Sequence, residues 1–201
     1  MKIFSTLGTQ ALAGLRVLLL FTLVLGIGYP LLLTGGAALL GGQADRQLLR
    51  SGGQVVGSRQ IGQTFEGAEW FHSRPSAAGD GYDALASGAS NLGPENEELL
   101  ATVEERRAAV SQEDGVDPAD VPPDALTASG SGLDPDISPE YALKQVDRVA
   151  AERELAPDAV RAVVHEQTLG RTLGFLGEPR VNVLELNLAL DLLAVTGEQA
   201  G

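Results

Sequence analysis

The sequence predicts an α+β protein: one N-terminal transmembrane helix, then a single soluble domain of several helices and a small sheet. Three observations lead there. Residues 17 to 40 carry no charge, and at about 1.5 Å per residue such a helix matches the roughly 30 Å hydrocarbon core of a bilayer. Beyond Asp45 the chain turns polar and acidic, and its amphipathic stretches open on Pro or Ser. Between Gln54 and Phe65 it instead places Val, Ile and Phe between glycines, a short-strand pattern.

Residues 1–16 form the N-terminal flank, 17–40 the span with its outer extension, and 41–201 the soluble domain. The first 44 residues hold two basic side chains, Lys2 and Arg16, and no acidic one, leaving 12 basic against 27 acidic residues in the remainder. Basic residues beside a span favour the cytoplasmic face, so the expected topology is N-terminus cytoplasmic, domain extracytoplasmic, in the cell membrane. The apolar run exceeds the roughly 7–15 residues of a signal peptide, which favours an anchor over a cleaved leader. Pro30 needs its freed carbonyl satisfied from elsewhere. Gly26 and Gly28 would admit a close helix neighbour, although glycine is also simply common in spans.

Within the domain, Gln43–Gly53 reads as a connector in which Leu48 and Leu49 extend the helix. Gln54–Phe65 reads as one or two strands. Phe71–Pro94, rich in Ser, Gly and Asp yet anchored by aromatics, reads as a long ordered loop of the kind that is functional or mobile. Pro94 with Glu95, Glu97 and Glu98 opens a helix to about Val110. Gln112–Pro123 reads as the flexible segment. Ser138 caps a helix to about Glu154, and Pro157 restarts one that Gly170 ends near Leu169. In Val181–Leu193 alternation argues strand, but Asn182 with Glu185 resembles a capping box and Val183, Leu186, Leu190 and Leu193 share a helical face; helix is the expectation.

The chemistry is sparse. There is no cysteine, so no disulfide, thiol nucleophile or thiolate metal site. His72 and His165 belong to no metal-spaced motif. Neither lysine follows a glycine as a P-loop requires, and there is no G-x-S-x-G elbow or Asp-Lys-Thr-Gly-Thr phosphorylation motif. The acidic balance disfavours nucleic acid. These absences predict a chain that is not an enzyme on its own, with no catalytic, metal or directly bound cofactor residues. Gly130–Asp134 could offer amides to an anion, but a tight turn before the Ser138 helix explains it as well.

Four dense blocks remain: Gly57-Ser-x-x-Ile-Gly-Gln63, Trp70-Phe-x-x-Arg-Pro-Ser-Ala77, Leu126-Thr-Ala-Ser-Gly-Ser-Gly-Leu-Asp-Pro135 and Gly170-Arg-Thr-Leu-Gly-Phe-Leu-Gly-Glu-Pro-Arg-Val-Asn182. Arg74, Arg171 and Arg180 can each grip a carboxylate with two parallel hydrogen bonds, which lysine cannot do. They either stabilise turns, paired with Asp80, Asp134 or Glu178, or face a partner. Arg74, Asp134, Arg171, Glu178 and Arg180 are therefore the candidate partner-contact residues or their supporting shell.

These blocks, with Ser87-Gly-Ala-Ser-Asn-Leu-Gly-Pro94, resemble the C subunit of the Kdp high-affinity potassium-transporting ATPase, over nearly the whole chain. Asp136 stands where that family often has His, Ala89 where Gly is usual, and Asp83-Ala84 where Asn-Pro is usual. The resemblance implies an accessory subunit beside a channel-like potassium-translocating subunit and a P-type ATP-hydrolysing subunit, which handle potassium and ATP. It implies a role in assembly and a catalytic-chaperone role that raises ATP affinity of the hydrolysing subunit. A nucleotide-contacting cytoplasmic regulator and an extracytoplasmic binding protein are the alternative readings.

Overall fold

The computed structural model describes residues 2–39 and 47–198. They form two units, divided between Arg46 and Gln47. The expected connector residues 43–46, and Leu40 at the end of the expected span, lie outside the described residues.

The first unit is helical: α1 (Lys2–Leu23), a π turn (Val24–Gly28) and α2 (Tyr29–Leu39). Gly8–Leu39 is a stretch of 32 residues long and apolar enough to cross a membrane. The helix runs through Arg16 without a break, so the flank and the span expected from charge are one continuous element. Pro30 explains the π turn. Its ring would clash with the carbonyl four residues back and it has no N–H to donate. Widening the preceding turn sends the Tyr29 N–H to the Val24 carbonyl, five residues back, and the Thr34 hydroxyl donates to the Pro30 carbonyl at 2.8 Å. Gly26 and Gly28 both fall inside this turn.

The second unit opens with a hairpin. Strands β1 (Leu48–Ser51) and β2 (Gln54–Ser58) pair antiparallel around Gly52-Gly53, both at positive φ (58° and 84°). Two central residues at positive φ make the turn whose twist suits a two-residue hairpin, so Leu48 and Leu49 are strand rather than the expected helix extension. Helix α3 (Glu97–Asp114) is capped by Asn96, whose Oδ1 accepts from the Glu98 and Leu99 amides at 2.9 and 3.1 Å, and Gly115 ends it at φ 65°. The segment expected to be flexible is instead built: α3 extends into it, a 3₁₀ turn spans Pro118–Asp120, and Val121 is buried.

Short α4 (Pro123–Leu126), then α5 (Pro139–Glu152) and α6 (Pro157–Gln167), each begin with proline, whose missing N–H is no loss in the first turn. Ser138 Oγ accepts from the Tyr141 amide at 3.0 Å. The residues after α6 turn into β4 (Thr168–Leu169). A three-stranded antiparallel sheet places β5 (Arg180–Asn182) between β3 (Asp136–Ile137) and β4. The tail is helical as expected, but α7 (Val183–Glu198) starts after β5. Asn182 Oδ1 accepts from the Glu185 amide at 3.1 Å, which is one half of a capping box. Val146, Val149 and Ala150 of α5, Val160 and Val164 of α6 and Leu186 and Leu190 of α7 recur at helical spacing and are fully buried, forming the core with Val181 and Phe71.

The segment Ala68–His72 has no strand partner, so helix side chains satisfy its backbone. Asn187 on α7 accepts from the Phe71 N–H at 2.9 Å and donates to the Phe71 carbonyl at 3.0 Å. Gln145 on α5 does the same at His72, at 2.7 and 3.2 Å. Arg148 donates to the Ala68 and Trp70 carbonyls at 2.7 and 2.9 Å, to Gln145 Oε1 at 2.9 Å and to buried Asp114 at 2.7 Å. Arg153 lies 4.3 Å over the Trp70 ring.

Replacing Asn187 with Leu strands two buried backbone groups, each costing about 1–3 kcal/mol. Urea unfolding of Asn187→Leu is expected to show a loss of about 2–6 kcal/mol, against no more than about 0.5 kcal/mol for a change at exposed Leu85.

Candidate functional site

The loop carrying Arg74 continues directly from the segment that Asn187 and Gln145 hold. Arg74 Nη1 donates to Asp134 Oδ2 at 3.1 Å and Nη2 to the Thr127 carbonyl at 3.3 Å. The Tyr82 hydroxyl donates to the Arg74 carbonyl at 2.8 Å, with the Asp134 carbonyl 3.4 Å away. Burial raises the Tyr82 pKa above its ordinary value, so the phenol stays a donor. Ser76 Oγ accepts from the Ala78 and Tyr82 amides and donates to the Gly132 carbonyl at 2.6 Å.

Glycines let these loops touch. Gly132 sits at φ 68°, and a Cβ there would lie 2.6 Å from the Gly88 carbonyl. At Gly62 a Cβ would lie 2.6 Å from the Asp134 carbonyl. Three of the dense blocks, with Ser87–Gly88, thus pack on one another. Within the Gly130–Asp134 loop the Gly132 amide donates to the Ser129 carbonyl and the Leu133 amide to Ser131 Oγ, bonds that shape the loop itself.

Beside this, Asp134 Oδ1 accepts from the Asp136 amide at 3.1 Å. The Asp136 carboxylate meets Arg180 Nε at 3.0 Å and Asn182 Nδ2 at 3.2 Å. Burial pushes the Asp136 carboxyl above the usual carboxylate range. The Asn182 hydrogen bond opposes this, nearby Asp134 adds to it and Arg180 counters it. Both pairs edge a cleft of about 470 Å³ that is also lined by Asp124, Glu140 and Glu178. Arg171 and Glu178 form the third pair, at 2.5 Å, joining the two legs of an excursion between β4 and β5. At its tip Leu173 and Phe175 are 78% and 69% exposed.

All five sequence-predicted residues therefore lie in ion pairs. Two of the three acids named as possible partners are used, Asp134 by Arg74 and Glu178 by Arg171. Asp80 pairs with nothing among the described residues, and Arg180 takes Asp136 instead. Sequence reasoning did not single out Asp136, because β3 and β5 bring it to Arg180 across 44 residues. It also missed the apolar tip, although Leu173, Phe175 and Leu176 between glycines were the visible signal.

His72 is packed, Nε2 at 3.0 Å from the Gly67 carbonyl and Nδ1 at 3.5 Å from Glu113, while His165 is exposed in the last turn of α6. Among the described residues no three His, Asp or Glu side chains are grouped to hold a metal ion. Arginines clamped to carboxylates tie these loops together.

The raised Asp136 pKa has a pH consequence. The folded state holds this proton more tightly than the unfolded chain, so stability from Asp136 is greatest below the ordinary carboxylate pKa and falls as pH rises through the raised one. In urea unfolding, the stability of the wild type minus that of Asp136→Asn is expected to shrink over that interval and then level off. A difference that grows with pH contradicts this.

Similarity to known proteins spans both units. Residues 11–192 match the family model described as KdpC: K+-transporting ATPase, c chain. A Kineococcus radiotolerans protein named potassium-transporting ATPase KdpC subunit is 62% identical over 181 residues, covering 90% of this chain and 92% of the relative. Proteins of the same name from Mycobacterium tuberculosis and Acidobacterium capsulatum are 54% and 53% identical. They cover 92% and 88% of this chain, and 98% and 97% of their own lengths. With a match spanning the apolar helix and the clamped loops alike, the chain belongs to the KdpC family, the c chain of K+-transporting ATPases.

Proposed function

We propose that the chain is a non-catalytic subunit that locks together an ATP-driven potassium uptake complex in the cell membrane. The observation that carries the proposal is 62% identity across 90% of the chain to a protein named as a potassium-transporting ATPase subunit. The helix Gly8–Leu39 supplies an anchor. Lys2 and Arg16, with no acidic residue before Asp45, favour a cytoplasmic N-terminus and hence an extracytoplasmic domain beyond the span. Gly26 and Gly28 fall inside the π turn, and the missing side chains leave room for a neighbouring helix to approach the backbone there.

In this reading the domain meets a channel-like potassium-translocating subunit, while a separate P-type subunit hydrolyses ATP. Arg74, Asp134, Arg171, Glu178 and Arg180 organise the meeting surface by fixing its loops. Exposed ion pairs add little to stability, so their value lies in geometry. The chaperone role arises from the same arrangement. ATP is on the cytoplasmic side, so the domain raises ATP affinity of the hydrolysing subunit as a coupling free energy carried through the span or the channel-like partner.

Deleting residues 47–201 is expected to abolish recovery of the complex on a tagged partner subunit and potassium uptake at low external potassium. Normal uptake by the truncated chain contradicts the proposal. Within the intact domain, Arg171→Ala is expected to lower complex yield more than Lys144→Ala, because a guanidinium fork holding the legs of a loop is harder to replace than an exposed lysine–aspartate pair. Equal yields from the two variants refute that ranking.

A further inference from the structure

The excursion between β4 and β5 is stiff, apolar at its tip and unused by the domain's own core. Thr172 and Leu176 exchange both backbone hydrogen bonds at 2.9 Å, Gly174 donates to the Arg171 carbonyl at 3.0 Å, and Arg171 grips Glu178 across the base. Leu173, at φ 55°, is held in a left-handed conformation that a branched side chain rarely adopts. Strain of this kind persists where surrounding structure enforces it, and it concentrates at functional sites. Phe175 is 69% exposed, whereas Phe71 is fully buried and Phe65 packs against the core.

The charge beside the tip selects its occupant. Glu178, Pro179 and Arg180, at the end of the excursion, also line the acidic cleft, where Asp134, Asp136 and Glu178 are paired with Arg74, Arg180 and Arg171 while Asp124 and Glu140 have no ion-pair partner among the described residues. Arg74 and Arg180 are each already paired, with Asp134 and Asp136, whereas Glu140 is exposed and has no ion-pair partner among the described residues. An anionic bilayer surface would be repelled here. A second copy would set one acidic cleft against another. A protein surface with an apolar socket and a lysine or arginine beside it matches both features.

We propose that the Leu173–Phe175 tip is the central anchor of this subunit on a partner subunit of the transporter, seated in an apolar socket while a basic side chain of the same partner enters the acidic cleft. This rests on the subunit reading and adds which surface docks and what chemistry receives it.

The test uses the full chain co-expressed with the other subunits. Leu173→Ser/Phe175→Ser is expected to lower the yield of complex about tenfold or more without moving the urea midpoint of the domain, since neither side chain is buried. Glu140→Lys is expected to lower it too, and raising the salt concentration is expected to weaken the wild-type complex. Full yield from the double variant, while deletion of residues 47–201 abolishes assembly, overturns the docking surface and leaves the subunit reading standing. Equal yields from wild type and deletion overturn the subunit reading itself. Phe175→Trp emission in nanodiscs distinguishes the other occupants. A blue shift is expected only when the partner subunits are present. A shift in lipid alone assigns the tip to the bilayer, and a homodimer of the isolated chain that the double variant dissolves assigns it to a second copy; either result overturns the proposal.

Discussion

Two buried side-chain amides carry the soluble unit. Asn187 and Gln145 each close a donor–acceptor pair on one residue of the extended Phe71–His72 segment, taking the place of a neighbouring strand. Without them, buried backbone groups would have exchanged water for nothing. Arg148 completes the arrangement, and its buried charge is tolerable because Asp114 and three neutral acceptors surround it. The core thus has a polar spine through it, with α5 and α7 supplying the amides and a loop supplying the backbone.

The clamped loops hang from that spine. Two residues after His72 comes Arg74, and from there the Ser76–Tyr82 turn and the Gly130–Asp134 loop interlock through Gly132 and Gly62, where a methyl group would collide with backbone oxygen. The long loop, though without secondary structure, is thereby tied to the Gly130–Asp134 loop at Ser76 and at Ser87–Gly88. Recognition surfaces built on rigid supports lose less freedom on binding, which suits a chain whose proposed work is to dock. A similar local accommodation is visible in the N-terminal helical unit, where one proline is absorbed by one π turn rather than by a broken helix.

Much of this was legible in the sequence, for identifiable reasons. Ser138 with Pro139, and Pro157, announced their helices because caps and first-turn prolines act locally. The ordered character of Phe71–Pro94 was legible from its aromatics. The clamp was not. Gln145 and Asn187 sit in amphipathic helices where an amide reads as surface, and only the docked loop makes them interior. Leu48 and Leu49 were misread because an apolar pair after a span resembles more helix, whereas the decisive signal was the Gly52-Gly53 turn behind them. In the site, the arginines stood out by residue type. Their partners depended on register: Asp136 reaches Arg180 only because β3 lies beside β5.

Docking of this clamped domain on the outer side of a potassium transporter requires that it stand on the extracytoplasmic face. The chain has no cysteine, so single cysteines at exposed Ser51 and Leu85 report on the domain alone. Intact cells with a permeable outer envelope would be treated with a membrane-impermeant maleimide. Labelling of both positions before lysis is the predicted result. Labelling only after lysis would place the domain in the cytoplasm and contradict the proposed topology.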